Sequence, residues 1–223
     1  TNGMFFEAIK GGDVVDEWTI YSIGGGTIAS PEMPIHKSQN VYPMGSIEEI
    51  LTWCDQEGKT LWEYVQDSES EDIWDYLDMI WKTMCETIDN GLNNDGVLPG
   101  GLKVARKACT YWVKSKEYGP NVSNRCQLYA YALATAEENA SGGVVVTAPT
   151  CGSCGVLPAV LYHLSQVNDY RPIRIKRALA TAGLFGNIAK TNASISGAEA
   201  GCQAEIGVAC AMAAAAACQL MGG

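Results

Sequence analysis

Histidine is nearly missing from this sequence. His36 and His163 are the only two in 223 residues, and both are isolated. His163 falls on an apolar stretch and reads as a structural residue rather than a catalyst. Long apolar runs are missing too, since no window reaches the roughly 18 consecutive apolar residues that a membrane span needs. The longest candidate, Ile206–Met221, is alanine-rich and interrupted by Gln219, and it reads as a buried helix. Cations are outnumbered, 15 Lys and Arg against 25 Asp and Glu, for a net charge of −10. Phosphate neutralisation needs clustered cations, so a nucleic-acid partner is not expected. No secretory leader is expected, and the nine cysteines are an odd number. Reduced thiols in a cytoplasm fit that pattern better than a disulfide framework.

What is present is a large apolar share, 47% against 18% charged. A chain of this length can bury a sizeable core, as one domain or one domain with an appendage. The chain begins at Thr1 and stops on Gly222-Gly223, where a glycine pair suits the end of a helix. A longer polypeptide is therefore expected.

The period of the apolar residues predicts a mainly α fold with a small β element at its start. Residues 4–23 read as a β-hairpin turning at Gly11-Gly12-Asp13, and Gly24-Gly25-Gly26 then releases the chain. Ser46-x-x-Glu49, Thr60-x-x-Glu63 and Ser68-x-x-Glu71 each have the form of a capping box. The third is expected to open the clearest amphipathic helix, with Ile73, Leu77, Ile80, Trp81, Met84 and Ile88 on one stripe and Gly91 closing it. Further helices are expected at about 102–116, 122–139, 155–166, 172–189 and 204–221. Only Val144–Val146 is otherwise strand-like.

Three stretches carry candidate chemistry. In Thr147–Tyr162, TAPTCGSCGVLPAVLY, a strand-like run leads through Cys151-Gly152-Ser153-Cys154 into an apolar helix. A redox dithiol wants a strand, a CxxC at a helix start and a βαβ context, and the last is missing. A structural zinc site wants a second pair at partner spacing, and the next cysteine is Cys202. The third reading is a turn of small residues whose backbone N–H groups converge where an anion sits on a helix start. In Lys190–Gly207, KTNASISGAEAGCQAEIG, small residues alternate with Lys190, Asn192, Glu199 and Glu205. It is too small-sided for a core strand and too poor in glycine for a linker, so it reads as a packed loop presenting polar groups to a ligand. Cys202 stands at a helix start, where the dipole favours thiolate and metal ligation. In Leu98–Arg106, LPGGLKVAR, Lys103 and Arg106 at a helix start form a candidate carboxylate clamp.

Taken together, TAPTCGSCGVLPAVLY, KTNASISGAEAGCQAEIGVACAMAAA, DGVLPGGLKVARKA, EENASGGVVV and the opening NGM…YSIGGG occur in this order in the iron–sulfur-dependent L-serine dehydratases. The chain resembles the catalytic alpha region of that family over nearly its whole length, and the block GAEAGCQAEIGVAC is highly specific. The resemblance implies a helical catalytic domain at 31–223, truncated at its C-terminus, after a hairpin at 1–30 that resembles the end of a preceding domain. It implies an L-serine ammonia-lyase that makes pyruvate and ammonia without pyridoxal phosphate. The cofactor it implies is a [4Fe–4S] cluster on three cysteines, whose open iron activates the serine hydroxyl as a Lewis acid.

Carried over by residue, Cys202 matches the first cluster cysteine. The other two match no position here, since they would follow Gly223, and Cys210 and Cys218 do not correspond to ligands. The Ser-Ser-Ser-His-Thr motif, a source of a catalytic base in the family, has no counterpart, so the base is unassigned. Cys151 stands where relatives carry Asn, which favours a substrate-side turn over a dithiol switch. The expected pocket comprises Thr147, Thr150, Cys151, Gly152, Ser153, Asn192, Ser194, Ser196 and Glu199, with Lys103 or Lys190 as carboxylate partner. The expected partners are L-serine and a second copy or another chain or domain, with no nucleic acid and no membrane. The rival readings are a thiol–disulfide protein using Cys151 and Cys154, and a cluster-free, inactive piece of the lyase.

Overall fold

The computed structural model describes residues 2–24, 27–31 and 40–223, so His36 lies outside the described residues. Strands β1 (Asn2–Lys10) and β2 (Asp13–Gly24) form the expected antiparallel hairpin, with Phe6 opposite Trp18 and Met4 opposite Ile20. The turn is Gly11-Gly12, and both have positive φ (64° and 98°), the requirement of a two-residue turn that follows the twist of the strands. A third strand, β3 (Thr27–Ala29), pairs again with β2, where the sequence predicts release of the chain.

The rest is helical. Helix α1 (Ile47–Glu57) starts at a true capping box, in which Ser46 Oγ accepts from the Glu49 N–H and Glu49 accepts from the Ser46 N–H. Helix α2 (Leu61–Ser68) has the second box, with Glu63 reaching back to the Thr60 N–H at 2.9 Å. The third expected box is not one. Ser68 is the last residue of α2, so its backbone is already helical and cannot take the extended geometry of a cap. Helix α3 (Ile73–Asn93) begins instead after Asp72.

The α3 stripe faces the core as expected, with Leu77, Met84 and Ile88 buried. Burying a side chain of this size contributes about 1.5–3 kcal/mol. Gly91 does not close the helix, which runs two residues further. It lies where α3 crosses α5 (Pro120–Ala140), and a methyl group there would stand 2.4 Å from the Ala134 carbonyl oxygen. Glycine at 91 is thus a contact between backbones.

Residues 98–106, expected to enter a helix, instead fold back on themselves. The Leu98 N–H donates to Val104 O at 2.8 Å and the Arg106 N–H to Gly96 O at 2.9 Å. Lys103 takes a left-handed φ of 50°, which a helix does not allow. Helix α4 (Ala108–Ser115) starts only afterwards. Val144–Val146 does not form a strand, because the three strands among the described residues pair only with one another. The Val144 carbonyl takes its hydrogen bond from the Thr87 hydroxyl at 2.8 Å.

Helices α6 (Val156–Val167) and α7 (Pro172–Asn192) follow, α7 with proline at its first position, where no N–H is needed. The short α8 (Gly197–Ala200) touches β2, and α9 (Cys202–Met221) closes the chain. Helix α9 is the one helix among the described residues long and apolar enough, by length and composition, to cross a membrane, with a mean hydropathy of 1.6. A criterion of unbroken apolar runs passes over it because Gln219 interrupts the run. It packs on α7 and α6, burying Ala209, Met212, Ala213, Ala216 and Leu220. Small residues allow that close approach.

Candidate functional site

The site is organised from the end of α5. Successive helical residues point about 100° apart, so three neighbours can hold three different partners. Glu137, nearly fully buried, accepts from the backbone N–H groups of Lys107 (2.7 Å) and Ala108 (3.2 Å). It thereby caps α4 from another helix. Glu138 pairs with Arg106 at 3.1 Å, with both side chains about nine-tenths buried. Arg106 also donates to the Ser141 hydroxyl at 2.6 Å. Asn139 donates to the Cys151 carbonyl at 3.2 Å. The triplet Glu137-Glu138-Asn139 thus ties the Arg106 segment and the cysteine turn to one helix end. Arg106 does clamp a carboxylate, but that carboxylate belongs to the chain itself.

In the turn, Thr150 and Ser153 are buried with their hydroxyl oxygens 3.2 Å apart. They hold the turn's shape from inside. Cys151 is exposed, while Cys154 is buried against the start of α6. Burial, with Cys151 beside it, pushes the Cys154 thiol up to about 11. No strand precedes the turn, and no βαβ unit surrounds it among the described residues, so the fold gives the redox reading no support.

The second segment is held by its own polar residues. Asn192 donates to Gly45 O (2.7 Å) and to Ile188 O (3.0 Å), closing the end of α7. Ser194 donates to Glu199 at 2.6 Å and accepts from the Ser196 N–H at 3.0 Å. Asn192, Ser194 and Glu199 therefore shape the loop, and Ser196 is buried within it. Cys202 follows Gly201 as the first residue of α9 and is exposed.

Turn and loop meet at Glu205. A methyl group on Gly152 would stand 2.7 Å from Glu205 Oε1. One on Gly197 would stand 2.6 Å from Glu205 Oε2 and 3.7 Å from Cys202 Sγ. The carboxylate is thus seated over two glycine Cα atoms from different segments, beside the Cys202 thiol. The pocket expected from the sequence does not include Glu205. Its signal was its place three residues after Cys202, on the same helix face, opposite glycines that leave room.

The other expected residues are more scattered. Thr147 is exposed, three residues ahead of the turn, and Lys103 sits on the exposed loop before α4. Lys190 lines a separate cavity with Tyr42, Glu69, Asn187 and Ile188. The Tyr42 hydroxyl there donates to Glu69 at 2.7 Å, and burial and that carboxylate hold its phenol well above its ordinary value. Among the described residues, no hydrogen bond or ion pair joins either lysine to the turn or the loop.

Among the described residues no three His, Cys, Asp or Glu side chains stand together as a metal group, and all nine cysteines are free. Cys202 with Glu205 beside it offers one thiol and one carboxylate. A cluster held by three cysteines does not fit the residues of this chain alone.

Comparison with known proteins gives a consistent picture. A family model described as the serine dehydratase alpha chain matches residues 32–223. L-serine dehydratase 1 of Escherichia coli K12 is 42% identical over 239 residues, covering 100% of this chain and 52% of that protein. The L-serine dehydratase of Haemophilus influenzae is 41% identical, covering 92% of this chain and 48% of its own length. That of Streptomyces coelicolor is 37% identical, covering 100% and 52%. The chain therefore spans about half the length of the curated relatives it matches.

Proposed function

This chain belongs to the serine dehydratase alpha-chain family, and from that membership we propose that it carries part of the active site of an L-serine ammonia-lyase. The overall reaction removes the Cα proton and the β-hydroxyl of L-serine as water. The aminoacrylate left behind tautomerises to an imine, and water then releases ammonia and pyruvate. The observation that supports this reading is the seating of Glu205 over Gly152 and Gly197 beside Cys202. It brings two of the most distinctive sequence blocks to one place.

The tasks this chain can perform follow from its own groups. The Thr150–Gly155 turn and the Asn192–Gly201 loop present backbone and small side chains beside Glu205 and Cys202. The buried Thr150–Ser153 pair and the Asn139 contact keep the turn from moving when that molecule enters. Hydroxide leaves poorly without help. The [4Fe–4S] cluster implied by the resemblance supplies a Lewis acid for that purpose when bound. Cys202 is the ligand this chain contributes in the proposal, and the remaining ligands must come from outside residues 1–223.

The test is anaerobic reconstitution with iron and sulfide of this chain, alone and extended past Gly223 to the length of its relatives. L-serine is then added and pyruvate measured. The expected result is pyruvate from the extended protein, lost in Cys202→Ala together with bound iron. A full cluster without pyruvate, or undiminished pyruvate in Cys202→Ala, overturns the reading.

A further inference from the structure

Glu205 is set apart from the other acids around it. Glu137 accepts two backbone N–H groups, Glu138 holds Arg106, and Glu199 accepts from Ser194. Glu205 accepts no hydrogen bond and joins no ion pair among the described residues, although it is half-buried. A carboxylate without a donor in the protein leaves its acceptor sites open to a cationic ligand. Gly152 and Gly197 approach it from two separate segments, and neither leaves room for even a methyl group. The carboxylate therefore lies where the turn, the loop and Cys202 come together.

We propose that the Glu205 carboxylate binds the α-ammonium of the substrate, and so is the group by which this site distinguishes an amino acid from a hydroxy acid. The inference rests on the lyase reading for its substrate class. L-serine carries one cation, its ammonium, and a carboxylate is the side chain that binds it by charge-assisted hydrogen bonds. The cations considered for this region are elsewhere: Arg106 is held by Glu138, and Lys103 and Lys190 make no bond to turn or loop. The anionic groups of the ligand must therefore meet other partners. Glu205 acts on recognition, with the reacting bonds left to other groups.

The experiment compares binding of L-alanine and L-lactate to the full-length protein by titration calorimetry. The two ligands have the same shape, differ in ammonium against hydroxyl, and cannot undergo the elimination. The unmodified protein should prefer L-alanine. In Glu205→Gln, similar in shape and uncharged, L-alanine should weaken ten- to a hundredfold while L-lactate stays unchanged, the range of a charge-assisted hydrogen bond. With L-serine, KM should rise by a similar factor and kcat should change less. Retained preference in Glu205→Gln overturns the proposal, as does equal weakening of both ligands, which would mark a structural role. Should Glu205→Gln fail to fold, Glu205→Asp serves, since it keeps the charge. Retained preference for L-alanine in a folded Asp variant supports the proposal, and its loss overturns it. Because binding needs no turnover, a protein that discriminates through Glu205 yet makes no pyruvate from L-serine refutes the lyase reading alone.

Discussion

Glycines do opposite work in two regions of this molecule. In the helical body Gly91 and Gly155 each face the backbone of α5, where a methyl group would stand 2.4 Å from Ala134 O and 2.6 Å from Ala132 O. Packed helix backbones cannot give way. In the site Gly152 and Gly197 face the end of one flexible side chain, the Glu205 carboxylate, at 2.7 and 2.6 Å. A side-chain tip can swing aside. The missing methyl thus sets the spacing of helices in one region and the position of a functional group in the other.

The largest effect should come from the site and leave the body untouched. Cys202→Ala should reduce bound iron and pyruvate formation to background in the full-length protein. Its melting temperature before reconstitution should not change, because Cys202 is exposed. A drop in that melting temperature would show that the two regions are not separable in this way.

Gly91→Ala should act in the reverse sense. Overpacking against a fixed backbone costs about 3 kcal/mol, to be read from the midpoint of urea unfolding. Activity per folded molecule should persist. Gly152→Ala, an identical chemical change, should cost less than about 1 kcal/mol of stability because the Glu205 tip can move. It should instead raise KM for L-serine about tenfold, the effect of misplacing one charged hydrogen bond. If Gly152→Ala unfolds the protein as readily as Gly91→Ala, the two glycines do the same packing work and the regions do not differ in this way.

The smallest effect concerns the turn's two sulfurs. At pH 7.5 a maleimide should label exposed Cys151 and leave buried Cys154 unmodified until the protein unfolds. Burial raises the Cys154 thiol from 9.0 to about 11, so the folded state holds that proton more tightly than the unfolded chain. The associated stability is complete below pH 9 and is lost as pH rises through 11. A pH titration of the unfolding midpoint, compared with Cys154→Ser, reads this directly.

Local signals in the sequence served the fold well. The Ser46 and Thr60 capping boxes, the α3 stripe and the Gly11-Gly12 turn each act within a few residues, and each is found where the sequence places it. The misreadings share a different cause. The start of α4 depends on Glu137, about thirty residues away, whose carboxylate caps it from α5. Val144–Val146 has strand composition, and among the described residues it pairs with no strand. Arg106 looks like a ligand clamp until Glu138 is brought to it.

The site divides along the same line. Cys202 and the small-residue turn were legible because residue type and order carry them. Glu205 was visible only as one acid among several in a loop. The sequence by itself determined which segments are helical and which blocks hold the unusual residues, since propensity, capping and periodicity are local. Only the tertiary structure decided that two glycines from separate segments close on one carboxylate beside Cys202. Packing at that distance depends on helix crossings that no short window of sequence contains.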